Sequence, residues 1–479
     1  MGELAMLKEK LFPILSNASY AVASNLIQLI ISTLVILVLP RLIGVEEYGF
    51  WQLYLFYVSY VGFAHLGWID GIYLKYGGKE YSELGISNFY SQFILYAIFQ
   101  GLISLGLFIL IPFISSGGDK NFIFLTLSIT LFLTNLRFFI VYILQTTNRI
   151  KESSRVLIFD RLIYICLLLS LLLFGQRNYQ MMIWADIIGR LMSLMYGIYL
   201  CRSIIWNKFS LFKLNVSEIF DNIKAGSNLM FSNIASTLII GTVRMGIERT
   251  WDVATFGKVS LTLSISNLMM TFINAIGIVI FPMIKRMKEK YIRLIYKALR
   301  DYLMVLMLGV MLLYYPLRFF LDGWLPAYND SLKYMALVFP MSIFEGKMSL
   351  LINTYLKALR MERVILGVNV LTMLCSFALT ILTTIVFKNI ELAIGSIVLL
   401  LMFRCFLAEF LLSKRLNVEI VKDVFLEVAM ALIFIVTGWT LSILLGFLIY
   451  FFSYGLYLFY KSGSIKIATT NIKTILKES

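Results

Sequence analysis

Residues 24–56 read SNLIQLIISTLVILVLPRLIGVEEYGFWQLYLF. Two apolar runs flank a short turn that holds Arg41, Gly44, Glu46 and Glu47. With its neighbours, each run supplies the roughly 20 apolar residues that a helix needs to cross a bilayer. The pattern recurs. Moving from 24 to 232, an offset of 208 residues, aligns it without a gap to SNIASTLIIGTVRMGIERTWDVATFGKVSLTLS. Ser24-Asn25 falls on Ser232-Asn233, Val45 on Val253, Tyr48-Gly49 on Phe256-Gly257 and Leu53 on Leu261. Glycine and asparagine matches at one constant offset are harder to obtain by chance than leucine matches, so the chain reads as duplicated.

Outward from this hairpin the chain continues in the same manner. Apolar stretches lie near 14–39, 48–69, 89–114, 122–146, 156–174, 179–203, 224–247, 254–284, 302–321, 331–357, 363–387, 391–413, 423–441 and 443–461. Only 14% of the residues are charged, against roughly 25% in soluble domains. The fold class expected is therefore all-α integral membrane, with about fourteen transmembrane helices. The net charge of +15 would suggest nucleic acid in a soluble chain. Here the basic residues gather in alternate loops, so the bilayer is the expected partner and nucleic acid is not. With the N-terminus placed inside, 28 Lys and Arg fall on the cytoplasmic side, 7 on the opposite side and 7 within the spans. That bias orients both termini to the cytoplasm. Six spans fit within the offset, so the repeat is parallel. The expected domains are an N-lobe at 1–206, a cytoplasmic linker at 207–222, a C-lobe at 223–414, and two further spans with a tail at 415–479.

Charges at bilayer depth are costly and face a cavity or a partner. Arg137, Arg190, Lys347 and Arg404 lie deep, in the fourth, sixth, tenth and twelfth stretches. Each lobe thus carries a cation in its fourth and its sixth helix. These four are the candidate substrate-binding cations, with inter-helix glue as the plainer alternative. Asp186 sits four residues before Arg190 and can neutralise it. Glu345 and Lys347 are two apart and point to different faces, so at least one of them needs another partner. Asn25 and Gln28 share a face of the first span, and Asn233 occupies the matching place in the seventh. Asn25, Gln28, Asp186, Asn233 and Glu345 are the candidate cavity-polar or ion-coupling groups. A cationic groove suits an anionic substrate such as a phosphate or acidic sugar, for which Arg is the natural ligand. The basic stretch Lys285–Arg300 reads as an interfacial amphipathic helix on anionic headgroups.

Other chemistries find little to use. No P-loop or dinucleotide fingerprint is present. The four cysteines lie in or beside apolar stretches, without metal spacing. The only histidine, His65, reads as a packed or hydrogen-bonded residue. No catalytic residue, cofactor or metal is expected, and no external loop exceeds about twelve residues, which leaves no room for an extramembrane catalytic domain. The start of the chain lacks an A-x-A-like cleavage site, so the first span is expected to direct insertion.

Residues 24–56 also resemble the opening of Wzx-type polysaccharide flippases, in which an arginine precedes a turn of the form L-G-x-x-x-Y-G. Here these are Arg41, Ile43-Gly44 and Tyr48-Gly49. Residues 232–269, followed by IFPMIKR, resemble the seventh and eighth helices of that family. YILQTTNRIK at 142–151 and YLKALRMER at 355–363 resemble the cytoplasmic ends of its fourth and tenth helices. The resemblance implies two six-helix bundles around a V-shaped cavity, as in multidrug (MATE-like) exporters of the same superfamily. It implies transfer of undecaprenyl-diphosphate-linked oligosaccharide, such as an O-antigen unit of lipopolysaccharide, across the bacterial inner membrane by alternating access. It further implies coupling to an H+ or Na+ gradient, and a polysaccharide polymerase and chain-length regulator as partners. A cation-coupled drug exporter of the same fold is the main alternative, with Asp186 and Glu345 as its deep acids. A membrane glycan polymerase or glycosyltransferase is a third, disfavoured by the short loops and the single histidine.

Overall fold

The computed structural model describes residues 26–27, 29–114, 117–285 and 289–478, and no strand occurs among them. The chain divides into two compact units, Met1–Ile234 and Ala235–Ser479.

The first unit contains α1 (Leu29–Leu42), α2 (Val45–Val61), α3 (Trp68–Tyr76), α4 (Ile86–Ile114), α5 (Gly118–Thr146), α6 (Ile150–Leu173) and α7 (Tyr179–Leu200). It also holds the start of α8 (Val216–Thr250). Glu46 and Glu47 occupy the first turn of α2, where the exposed N–H groups favour negative charge. Glu47 also accepts the backbone N–H of Tyr179 at 2.7 Å, tying the start of α2 to the start of α7. Asn178 caps α7 by accepting the N–H of Gln180 at 2.8 Å. The second expected span ends early. A tight turn at Gly62–His65 and left-handed backbone at Leu66 and Gly67 separate α2 from α3.

Close backbone contact sets the crossing of α3 with the start of α8. A methyl group on Gly71 would overlap the carbonyl of Asn222, and one on Gly226 would overlap that of Gly67. Gly67 and Gly71 are four apart, on one face of the chain, and their lack of a side chain lets the helices approach. Around this crossing Gln92 accepts hydrogen bonds from Trp68 Nε1 at 3.1 Å and from Asn222 Nδ2 at 2.9 Å. His65 is buried and accepts the Gly67 N–H through Nδ1 at 2.9 Å.

The second unit contains the rest of α8, then α9 (Val253–Lys285), α10 (Glu289–Val310), α11 (Tyr314–Trp324), α12 (Tyr334–Ala358), α13 (Glu362–Val386), α14 (Ile390–Leu416), α15 (Val421–Thr440) and α16 (Ile443–Glu478). The turn between α8 and α9 repeats that between α1 and α2: Leu42 and Val45 shifted by 208 are Thr250 and Val253. Asp252 caps α9 by accepting the N–H of Thr255 at 2.8 Å, and hydrogen bonds from Thr255 hold its carboxyl below the usual range. Helix α12 is broken. Pro340 interrupts it, and a π-helical turn at Met348–Ile352 follows Lys347 directly.

Ten helices among the described residues are long and apolar enough to cross a membrane. Helices α1, α2, α9 and α15 are not among these ten, so the described residues show ten of the about fourteen spans expected, and the full count is not tested by them. The chain is a multi-pass membrane protein. Helices α5 and α12 are the most enclosed of the ten, and α4 and α16 the least. The outer helices present large apolar side chains to their surroundings, including Leu102, Phe113, Leu173 and Phe459. Such a surface is what hydrocarbon requires and water does not tolerate.

The last two helices are built into the second unit. Tyr450 donates to the Leu308 carbonyl at 3.0 Å and Tyr454 to that of Val305 at 2.8 Å. Rings of Tyr314, Tyr315, Phe339, Phe434 and Tyr450 pack together where α11, α12, α15 and α16 meet. Of the basic segment at 285–300, the described residues from Glu289 on form no separate interfacial helix. They run without a break into α10, and Ile295, Tyr296, Ala298 and Arg300 are buried.

Candidate functional site

In the first unit the deep charges form one connected polar node. Arg137 on α5 pairs with Asp160 on α6, both buried. Asp186 on α7 accepts from Arg190 Nε at 2.7 Å, one turn along the same helix. Arg190 Nη1 also donates to Thr134 at 2.9 Å, and Tyr54 of α2 donates its hydroxyl to Asp186 at 2.9 Å. Burying these groups costs heavily unless every charge is matched, which is why the node spans four helices. One member differs. Arg161 lies 3.9 Å from Asp160 and 3.8 Å from Asp186, beyond hydrogen-bond reach, and its side chain is 35% exposed.

In the second unit the neighbours Glu345 and Lys347 go to different partners, as their spacing requires. Glu345 accepts from Arg404 of α14 at 2.9 Å, and Arg404 Nε donates to Asn369 of α13 at 2.9 Å. Arg404 is buried, whereas the Glu345 side chain is 30% exposed. Lys347 is fully enclosed. Its ammonium donates to Glu409 of α14 at 2.5 Å and to Glu427 of α15 at 2.6 Å. Arg300 of α10 reaches Glu409 at 2.8 Å, Glu427 at 2.7 Å and Asp423 at 3.0 Å. Tyr296 donates to Glu409 at 3.0 Å. Lys461 of α16 bridges Asp301 and Asp423, each at 2.7 Å. Five helices thus meet on one ionic lattice.

Among the sequence candidates, then, Arg137, Arg190 and Asp186 come together in the first unit. Arg404 and Glu345 form one pair in the second, and Lys347 belongs to a separate cluster there. Asn233 is exposed on α8. Asn25 and Gln28 lie outside the described residues. Among the described residues no group of His, Cys, Asp and Glu could hold a metal ion.

The residues that the sequence reading passed over are the partners Glu409, Glu427, Lys461 and Tyr54; Arg300 entered it only as the end of a basic stretch. A signal for some was present. Glu409 and Glu427 lie 8 residues before and 10 after the left-handed Asn417 that ends α14, hence at similar depth on antiparallel neighbours. Arg137 and Asp160 lie 11 before and 12 after the left-handed Asn148. Equal distance from a turn places charged groups face to face: two acids that share the Lys347 ammonium in the one case, an opposite pair in the other.

A family profile described as polysaccharide biosynthesis protein matches residues 14–288, more than half of the chain. No curated protein sequence matches significantly. Among solved structures, the lipid II flippase MurJ in an inward closed conformation is similar with a TM-score of 0.67 and 14% identity, covering 94% of this chain and 100% of that one. An inward-facing multidrug resistance MATE family transporter of the MOP superfamily is similar with a TM-score of 0.61 and 10% identity, over 82% of this chain and 98% of that one. A Vibrio cholerae MATE transporter, VcmN, gives 0.55 and 15%, over 87% and 98%. At these identities the likeness establishes the fold alone, one shared with MurJ and the MATE transporters.

Proposed function

The chain belongs to the polysaccharide biosynthesis protein family, and from this we propose that it is a flippase, not an enzyme, for undecaprenyl-diphosphate-linked oligosaccharide repeat units. Its cargo would be an O-antigen or similar surface polysaccharide unit, moved across the bacterial inner membrane by alternating access coupled to an H+ or Na+ gradient. A polymerase and chain-length regulator would receive the product. The observation that carries the proposal is the family match laid over a transporter fold that extends through 94% of the chain. The loop-charge bias of 28 to 7 supports cytoplasmic termini.

A diphosphate head group must compete with the carboxylates that already hold the deep cations. Competition is least costly where a pair is open. We therefore assign first contact with phosphate to Arg404, whose partner Glu345 is part-exposed, and to Arg161, which no carboxylate holds closely. Arg137, Arg190 and Lys347 would meet substrate only after their pairs part, with Asp186 and Glu345 as the acids that exchange partners.

The test is complementation of a deletion strain. Arg404→Ala and Arg161→Ala are each expected to abolish surface glycan while the protein stays in the membrane, and lipid-linked single units should accumulate inside. Normal glycan in both variants would remove the assigned site. Single units at the outer surface would point to a polymerase instead. The MATE likeness favours a drug exporter as the second reading; a deletion strain with altered drug sensitivity and intact glycan would establish it.

A further inference from the structure

The second unit has an open cavity of about 910 Å³ that the flippase reading does not use. It lies where the start of α10, the turn from α14 to α15 and the late part of α16 converge. Its floor is charge-compensated. Arg300 and Lys461 are both nearly fully buried there, and their carboxylate partners include Asp301 and Asp423, which also line the cavity.

The rim is different. Lys297, Lys414 and Lys422 line it and are exposed, and none of the three makes an ion pair among the described residues. A single acid, Glu419, stands among them. The Lys414 ammonium lies 4.4 Å from the centre of the Phe410 ring, drawn across an apolar wall. That wall also carries Leu294 and Ile467, and its three apolar side chains are 40%, 47% and 64% exposed at Leu294, Phe410 and Ile467. Uncompensated lysines above exposed apolar side chains, at the ends of membrane helices, match a ligand with a phosphate at one end and hydrocarbon at the other.

We propose that this cavity is a binding site for an anionic phospholipid, with the headgroup phosphate held by Lys297, Lys414 and Lys422 and the start of an acyl chain laid against Phe410, Leu294 and Ile467. A bilayer phospholipid is favoured over a soluble phosphate because the latter would leave the apolar wall exposed to water. The site is separate from Arg161 and Arg404, so it stands or falls independently of the transport reading.

The test uses the purified full-length protein, delipidated and then offered phosphatidylglycerol or phosphatidylcholine, with bound lipid read by native mass spectrometry. Phosphatidylglycerol should bind at least about tenfold more tightly, the discrimination expected when exposed lysines meet an anionic headgroup. The Lys414→Gln/Lys422→Gln variant should lose that preference and keep its melting temperature in phosphatidylcholine nanodiscs, since both side chains are exposed. Lys297→Gln alone should weaken the preference in part and serves if the double variant does not fold. Equal affinity for the two lipids, or a preference that survives the substitutions, would overturn the proposal. Inorganic phosphate displacing the lipid at comparable concentration would overturn it too, in favour of a soluble ligand.

Discussion

Lys347 is the buried cation whose removal has the most calculable consequence. Its ammonium donates to Glu409 at 2.5 Å and to Glu427 at 2.6 Å, so the two acceptor oxygens lie no more than 5.1 Å apart, the two bonds laid end to end. Replacing Lys347 by Met removes the charge and keeps much of the volume. The two carboxylates then face each other with only Arg300 between them. At an effective dielectric of about 20, unit charges about 5 Å apart repel by about 3 kcal/mol. Loss of the attraction adds to this, while proton uptake by one carboxylate limits the total. The expected cost is about 3–5 kcal/mol, the range for breaking a buried pair. Lys347→Met/Glu427→Gln restores the balance, leaving Arg300 with Glu409, and should recover most of the loss. Thermal unfolding in detergent, with single and double variants in one cycle, measures both quantities. A Lys347→Met cost below about 1 kcal/mol, the size of an exposed pair, would refute the reasoning. So would a double variant as unstable as the single one. Surface glycan in the double variant then separates the roles: glycan retained means that Lys347 holds helices together, and glycan lost from a stable protein means that it also serves transport.

Much of the fold was legible because membrane helices announce themselves by length and hydropathy. The 208-residue offset also located a real structural correspondence, since the turns before Val45 and Val253 coincide under it. The break at Gly62–Gly67 was missed because the flanking residues stay apolar through Ile69, and hydropathy does not register a left-handed pair at Leu66 and Gly67. The site was half legible. Asp186 and Arg190 are one turn apart, and local spacing pairs them. Glu345 and Lys347 could be said to diverge, but their partners lie on α14 and α15, at separations of 59, 62 and 80 residues that no local rule reaches. Arg300 was misread for a related reason. Its neighbours Lys297 and Arg293 make the segment look like the basic face of a helix lying on headgroups, while its own side chain is the one that turns inward.

Two further perturbations test how the first unit is held together. Gly71→Val and Gly226→Val each put a side chain where a backbone carbonyl already sits, at Asn222 and Gly67 respectively, and neither carbonyl can swing aside as a side chain would. Each should cost about 3 kcal/mol or more and lower membrane-inserted protein, measured by quantitative blotting; wild-type levels in both would mean that α3 and α8 do not cross as described. The pair Arg137–Asp160 offers a sharper choice. Arg137→Leu strands Asp160 in a buried place and should cost about 3–5 kcal/mol, because Arg161 stands too far off, at 3.9 Å, to replace the lost hydrogen bond. Arg137→Leu/Asp160→Leu removes both charges and should be near neutral for stability, since buried pairs exchange for apolar residues of similar size at little cost. If that variant unfolds like the single one, the pair is not self-contained and the charge node must be read as a larger unit. If it is stable and also restores surface glycan, Arg137 is inter-helix glue, and the phosphate-binding role in the first unit passes to Arg161, the member of the node that no carboxylate holds closely.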